Sequence, residues 1–478
     1  MYRIVKDYVH SHIEPQLPPE VNVKLHSELR FRPAGYNKTY YFKSKKWDGY
    51  NYLYDQLTQR FRSGLAWRAG LILKRCNVDY EVVDVRAVAA ANSIVENIKI
   101  LLNPFDFQSE AARITTQDVS HGIIASPTGT GKTLIMSLIA KLNGTRTLVV
   151  VNSRVLLDQT WEFFDEVVPG GAGIVGSGFF ELKDLTIATI QSLTSILGVG
   201  KKQIPSADKE PPLKDWLEQV GLVIHDEVHE ADSKSVDGLY SKLKASKFIG
   251  TTATPFAWAY ANEKGKNLEM EQHFGTKIYD SREENFIKLG LTVPLFVSRF
   301  ATPIADIYQN YDFQVRTTEE YIDVIANQIV ENEARIELLA KKVIEQAQSG
   351  LSSYVYYNRI KYGEMLSDAM HQLNPVFIQG KTSRAKRQEA FKAIDKKEIL
   401  VIVSDIGSYG LNIKSLDSIV LAFPTKDARQ LKGRVCRAFP NKERGLVIDP
   451  VDNVPYLKRH SSLRFNQYKR DKDVVVGY

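Results

Sequence analysis

From about residue 118 onward, the hydrophobic positions fall into short unbroken runs separated by longer stretches of helical periodicity. The first series is HGIIAS (121–126), TLVVV (147–151), LTIATI (185–190), LVIHD (222–226) and FIGTTA (248–253). Continuous apolar runs, unlike alternating ones, need cover on both faces, so they predict parallel strands sandwiched between helices. A second series repeats the pattern: SYVYY (353–357), VFIQ (376–379), ILVIVS (399–404), SIVLAF (418–423) and GLVID (445–449). Two α/β domains in tandem are predicted, joined somewhere in 300–325. The stretch 197–219, rich in Lys, Pro and Gly, is expected to be a surface insertion. No internal repeat of solenoid length is present. The expected borders are a small α+β domain over 1–95, a first α/β domain over 96–305, a second over 306–450 and a basic helical tail over 451–478.

Charge adds a preference to this layout. Net charge is +7 over 478 residues, yet residues 1–100 hold 16 Lys and Arg against 10 Asp and Glu, while the rest is balanced at 47 against 46. An excess gathered in one module is the arrangement a polyanion-binding surface takes, nucleic acid being the commonest partner. No run approaches the ~20 apolar residues of a membrane span, and the start MYRIVKDYVH lacks a signal-peptide core, so a cytoplasmic protein without membrane contact is expected. Cys76 and Cys436 are too few for a disulfide framework or a structural zinc site and read as reduced thiols.

Chemistry concentrates in SPTGTGKT, 126–133, between the HGIIAS strand and the helical pattern LIMSLIAKL. Glycines at 129 and 131 let backbone N–H groups curl round phosphates, and the helix that follows points its positive end at them. Ser126, Pro127, Thr128, Gly129, Thr130, Gly131, Lys132 and Thr133 are therefore the candidate ATP-phosphate cradle, with Lys132 reaching the phosphates and the Thr133 hydroxyl on Mg²⁺. Ser126 stands where a first glycine is usual. A carboxylate at a neighbouring strand end would hold the metal, and HDEVH (225–229) supplies Asp226 for Mg²⁺ and Glu227 to orient and deprotonate the attacking water. His229 is expected to act as a coupling residue rather than a metal ligand. Gln108, some twenty residues ahead of the loop, offers an amide able to pair with the two-faced edge of adenine.

SPTGTGKT, DEVH and the TAT of GTTATP, in this order, resemble the superfamily 2 helicases, and QLKGRVCR (430–437) resembles the same family's motif in its second domain. The resemblance implies two RecA-like domains, ATP hydrolysis with Mg²⁺, and a monomeric motor. It makes Arg434 and Arg437 the arginine fingers, with Gln430 beside them; Gly410 and Asn412, in SDIGSYGLNIK, are expected near nucleotide and nucleic acid. Thr252 and Thr254 join His229 in coupling. Ser153 and Arg154 in VVVNSRVLLDQ, and Thr189 and Gln191 in IATIQSL, are expected to grip a strand's phosphates.

FRPAGYNKTYYFKSKKWDGYNYLYDQLTQRFRSGL (31–65) is similar to the N-terminal module of the phage UvsW-type helicases. That similarity implies DNA branch migration on forked, four-way and displaced-strand structures, in phage replication, recombination or repair within the host cytoplasm, beside phage partner proteins that the residues do not identify. Read on its residues, the stretch interleaves Arg30, Arg32, Lys38, Lys43, Lys45, Lys46, Arg60 and Arg62 with Tyr36, Tyr40, Tyr41, Phe42, Trp47 and Tyr50. Phosphate neutralisation and base stacking require this mixture; Arg32, Lys43, Lys45, Lys46 and Trp47 are the expected contacts, and about half of the aromatics are expected in a core. Three other readings stay open: an RNA helicase, a duplex translocase that separates no strands, and an ATP-switched DNA-binding or annealing factor. No Asp…Glu-x-Lys nuclease constellation is present.

Overall fold

The computed structural model describes every residue except 34, 118, 200–203, 231, 232, 254–262, 284, 309–316, 406–412, 414, 427, 470–473 and 478, and only the backbone of 230, 233–235, 263, 264, 266, 283, 318, 384, 429 and 430. The chain divides into two bodies: Met1–Pro127 with Gly131–Glu284, and Asn285–Tyr478, with which Thr128–Thr130 are grouped.

The first body opens with a five-stranded sheet in the order Tyr54–Asp55, Arg60–Arg62, His10–Glu14, Tyr2–Lys6, Tyr80–Asp84. Its neighbours run antiparallel except the last pair. Helices Pro19–Glu28 and Ala66–Arg75 cover it, burying Leu25, Ile72 and Leu73 against Ile4 and Ile13. This small α+β unit does not stand apart. Leu268, from the helix Glu263–Phe274 of the α/β portion, completes its core, and Arg68 grips Glu271 on that helix through two bonds of 2.6 and 2.7 Å.

The α/β portion has eight strands in the order Phe179–Glu181, Gly173–Gly176, Leu185–Thr189, Thr147–Val151, Leu222–Asp226, Lys247–Thr252, His121–Ala125, Lys277–Asp280. All neighbours are parallel save the first pair. The predicted runs occupy the five central places and are almost wholly buried. The expected surface insertion differs: helix Glu210–Leu217 lies inside it and sends Leu213, Trp216 and Leu217 into the core. Its paired prolines sit in the first turn, where the missing N–H costs nothing.

The second body carries seven parallel strands in the order Val376–Ile378, Val401–Ser404, Ser353–Tyr356, Ser418–Val420, Gly445–Val451, Leu295–Ala301, Val474–Gly477. Both α/β portions are thus RecA-like. Leu295–Ala301 belongs to this sheet, so the second body begins at Asn285, ahead of the border read at residue 306. The stretch read as a tail also belongs to it. Val474–Gly477 pairs with Leu295–Ala301, and helix Leu457–Lys469 buries Arg464 against Asp449, 2.6 and 2.9 Å away. Cys76 and Cys436 are free thiols. No helix among the described residues is long and apolar enough to cross a membrane.

Candidate nucleotide site and nucleic-acid surface

The loop strand His121–Ala125 and the carboxylate strand Leu222–Asp226 flank the strand Lys247–Thr252, so all three deliver their C-terminal ends to one edge. Helix Lys132–Asn143 starts at that edge after Gly129 and Gly131, both in the left-handed region at φ 90° and 82°. There a side chain would be strained, and at Gly131 a Cβ would stand 2.6 Å from the Gln108 amide nitrogen. Thr133 is half-buried in the first turn, and Thr130 is buried in the loop.

Lys132 reaches back across the edge, its Nζ 2.9 Å from Glu227 Oε1 and 3.5 Å from the Ser126 carbonyl. Asp226 Oδ1 accepts from the Thr251 hydroxyl at 2.8 Å and from the Glu227 N–H at 3.0 Å. Burial, with Glu227 adding to it, holds the Asp226 carboxyl well above the usual range, against the pull of Lys132. Burial acts in the same direction on Glu227, but Lys132, His229 and the Ala253 N–H outweigh it and keep this carboxyl low and ionised. Two adjacent carboxylates facing one lysine leave a surplus of negative charge, the condition under which a divalent cation fits. An ionised Glu227 beside it can accept a proton from water.

Glu227 adopts φ 50°, a left-handed conformation uncommon outside glycine. Asn152 holds it there: its Nδ2 donates to the Glu227 carbonyl at 3.0 Å and the Asp226 carbonyl at 3.3 Å. The Asn152 Oδ1 meets His225 Nε2 at 3.0 Å, and His225 Nδ1 meets the Tyr240 hydroxyl at 2.8 Å. Asn152 was missed by sequence reasoning, which stopped at the next two residues of VVVNSRV. Its signal was its place at the end of a strand beside the carboxylate strand.

His229 and Thr252 are brought together, Nδ1 to Oγ1 at 2.6 Å, with His229 Nδ1 also 3.4 Å from Glu227 Oε2. Thr254 lies outside the described residues. The Ser126 hydroxyl is buried and accepts from Ser281 at 2.9 Å, so it ties the loop to the segment after the last strand rather than facing outward. That bond is what the serine does in place of a glycine. Gln108 is also buried, and its Oε1 accepts the Phe105 N–H at 2.9 Å, satisfying a free donor at the start of helix Asp106–Arg113.

Ser153 and Thr189 cap the helices Arg154–Val167 and Ile190–Ile196, accepting from the backbone at 3.2 Å each. Those helices follow adjacent strands. Arg154 is exposed, and the exposed Gln191 donates to the Asn152 carbonyl at 3.2 Å. In the N-terminal module Arg32, Lys43, Lys45 and Lys46 are exposed. Trp47 is half-buried, its indole N–H on the Tyr50 carbonyl at 2.7 Å, so it holds the segment's own backbone. In the second body Arg434 lies on helix Arg429–Val435 and Arg437 just past it, where burial lowers the Arg437 guanidinium from its ordinary value. Gln430 is on the same helix with its side chain undescribed, and Gly410 and Asn412 lie outside the described residues.

Residues 88–257 match the family model of the type III restriction enzyme res subunit, and residues 334–439 match the helicase conserved C-terminal domain. A protein of Sulfolobus islandicus filamentous virus named as a helicase is 24% identical over 384 residues, covering 75% of this chain and 65% of that protein. The ATP-dependent DNA helicase uvsW of Enterobacteria phage T4 is 22% identical over 379 residues, covering 73% of this chain and 72% of that protein. Among solved structures, Dbp5 of S. cerevisiae bound to RNA and ADP BeF3 is alike in fold, with a TM-score of 0.51 at 14% identity over 79% of this chain and 90% of that one. Both RecA-like portions therefore match helicase domains, which together take in more than half of the residues, and the chain belongs to the superfamily 2 helicases, enzymes that hydrolyse ATP.

Proposed function

We propose that this chain is an ATP-dependent DNA helicase or translocase that unwinds or branch-migrates forked, four-way and displaced-strand DNA. The observation that carries the motor half of this reading is the trio of buried Asp226 with the largely covered Lys132 and Glu227 at one strand edge, with the glycine loop and a helix start beside it. Lys132 would bind the phosphates, and Thr133 and Asp226 would hold Mg²⁺, which supplies charge neutralisation for the transferred phosphoryl group. Glu227, kept ionised, takes a proton from the attacking water. Arg434 and Arg437 serve as the arginine fingers, stabilising charge that develops only in the transition state.

The DNA half is supported by the basic N-terminal module and by the phage DNA helicase among the relatives. RNA is the second reading, because the motor fold does not select between the two: the yeast protein alike in fold is one bound to RNA. Steady-state ATPase with Mg²⁺, compared across single-stranded DNA, duplex, a four-way junction and matched RNA, alongside gel-resolved strand separation, tests both halves. Glu227→Gln is expected to abolish turnover while leaving nucleic-acid binding intact. Normal turnover in that variant would overturn the site; RNA as the best activator would overturn the substrate.

A further inference from the structure

A strongly basic exposed segment of the first body is the lobe closed off by the short ladder between Arg30–Phe31 and Asn51–Tyr52. Residues 30–50 carry Arg30, Arg32, Lys38, Lys43, Lys45 and Lys46 against the single acid Asp48. Among the described residues none of the four lysines forms an ion pair, and all four are exposed.

The aromatics of this lobe divide into two sets. Tyr36 and Phe42 meet edge to face at 4.9 Å, and Gly49 packs so tightly on them that a Cβ there would stand 2.7 Å from the Tyr36 ring. Tyr50 lies between the guanidinium groups of Arg30 and Arg32, 4.1 and 4.4 Å from its centre. Tyr52 stacks on His26 at 4.2 Å, and Trp47 is bonded to the Tyr50 carbonyl. These five rings build the lobe. Tyr40 and Tyr41 do not: they are 70% and 64% exposed, edge to face at 5.8 Å so that their faces point in different directions, with Lys46 Nζ 6.0 Å from the Tyr40 ring.

We propose that Tyr40 and Tyr41, in the exposed segment that also carries Lys38, Lys43, Lys45 and Lys46, are a stacking platform for the bases of an unpaired DNA strand. This deepens the DNA reading above and rests on it. The lysines select a polyanion and the rings select within that class. A duplex hides its base faces in its own stack, whereas an unpaired strand offers a π-face at every nucleotide for an exposed ring to cover. The site would therefore hold the displaced or unpaired arm of a branched substrate rather than its paired stem.

The test uses the full chain without nucleotide and measures anisotropy of a labelled oligothymidine and of an abasic strand of equal length. Tyr40→Ala/Tyr41→Ala is expected to weaken oligothymidine binding about 5- to 100-fold while leaving the abasic strand unchanged. Tyr40→Phe/Tyr41→Phe should keep the binding, because the ring faces remain. Lys43→Gln/Lys45→Gln/Lys46→Gln should weaken both strands alike and flatten the salt dependence. Wild-type binding to oligothymidine that survives the double alanine change, or an equal loss on both strands, would overturn the platform alone. Wild-type protein that binds neither strand and shows no DNA-stimulated ATPase would overturn the DNA reading itself. Cross-linking of an iodouracil-containing strand to the peptide bearing Tyr40 and Tyr41 is the direct readout, and cross-links confined to other peptides count against the proposal.

Discussion

Lys132→Met retains most of the side-chain volume and deletes the ammonium group that stands 2.9 Å from Glu227 Oε1, in a pair whose side chains are only 11% and 15% exposed. Removing one member of a buried ion pair costs ~3–5 kcal/mol, because the other charge is left uncompensated. Here the residual exposure and the ability of a carboxyl to take up a proton reduce this to about 2–3 kcal/mol near pH 8. The pH dependence follows from the two carboxyls. In the native chain Glu227 is held below its unfolded value, so its contribution is present above that value and is lost as pH falls. Without Lys132, Asp226 and Glu227 become two adjacent buried acids whose folded values are raised, so the variant regains stability as pH falls through them. Both effects shrink the deficit in acid. Urea unfolding of wild type, Lys132→Met, Glu227→Gln and the double variant near pH 8 and pH 5 measures it, and the double-mutant cycle isolates the pair. A deficit below ~0.5 kcal/mol near pH 8, or one that is the same at both pH values, would refute the reasoning.

Two further outcomes test the packing and the buried histidines. At Gly64 a Cβ would lie 2.4 and 2.7 Å from the backbone carbonyls of Glu271 and Gln272, which cannot yield, so Gly64→Ala should destabilise by ~1–3 kcal/mol and loosen the N-terminal module from its helix; at Gly70 the obstruction is the far end of Tyr80, which can rotate, and Gly70→Ala should cost less in the same denaturation series. His225 and His273 are pushed down to about 3 by burial, each pressed further by a neighbouring positive or titratable group. The unfolded chain therefore binds more protons than the folded one between about pH 3 and 6.5, and stability falls through that window as pH falls, by ~1.4 kcal/mol per pH unit for each histidine. His273→Gln should show a slope smaller by about that amount between pH 6 and 4; an unchanged slope would mean that His273 titrates normally.

The five central strands of the first motor sheet could be read from their runs because a strand buried on both faces must be apolar throughout, a requirement that leaves its trace in the chain itself. The same holds for the glycine loop: φ values of 90° and 82° demand glycine whatever surrounds them, and a Cβ at Gly131 would strike Gln108. Leu295–Ala301 escaped notice because Ser298 and Arg299 interrupt its apolar run, Val474–Gly477 because it is only four residues long beyond a basic helix, and the partners of both lie far away in sequence. The helix Glu210–Leu217 was hidden behind two prolines that only its first turn could accept. Local chemistry thus named the groups at the site, Lys132, Asp226 and Glu227, while long-range packing decided how they are held. Asn152 fixes the left-handed Glu227, Ser281 takes up the Ser126 hydroxyl, and Thr251 supports Asp226. No composition or spacing specifies such partners, since each is an ordinary polar residue until the sheet order places it within hydrogen-bond reach. The aromatic lobe makes the same division: its mixture of rings and lysines was visible in the chain, but the structure buries none of these rings in a core, and which of them pack on one another and which stand free was settled only when Gly49 closed on Tyr36 and Phe42.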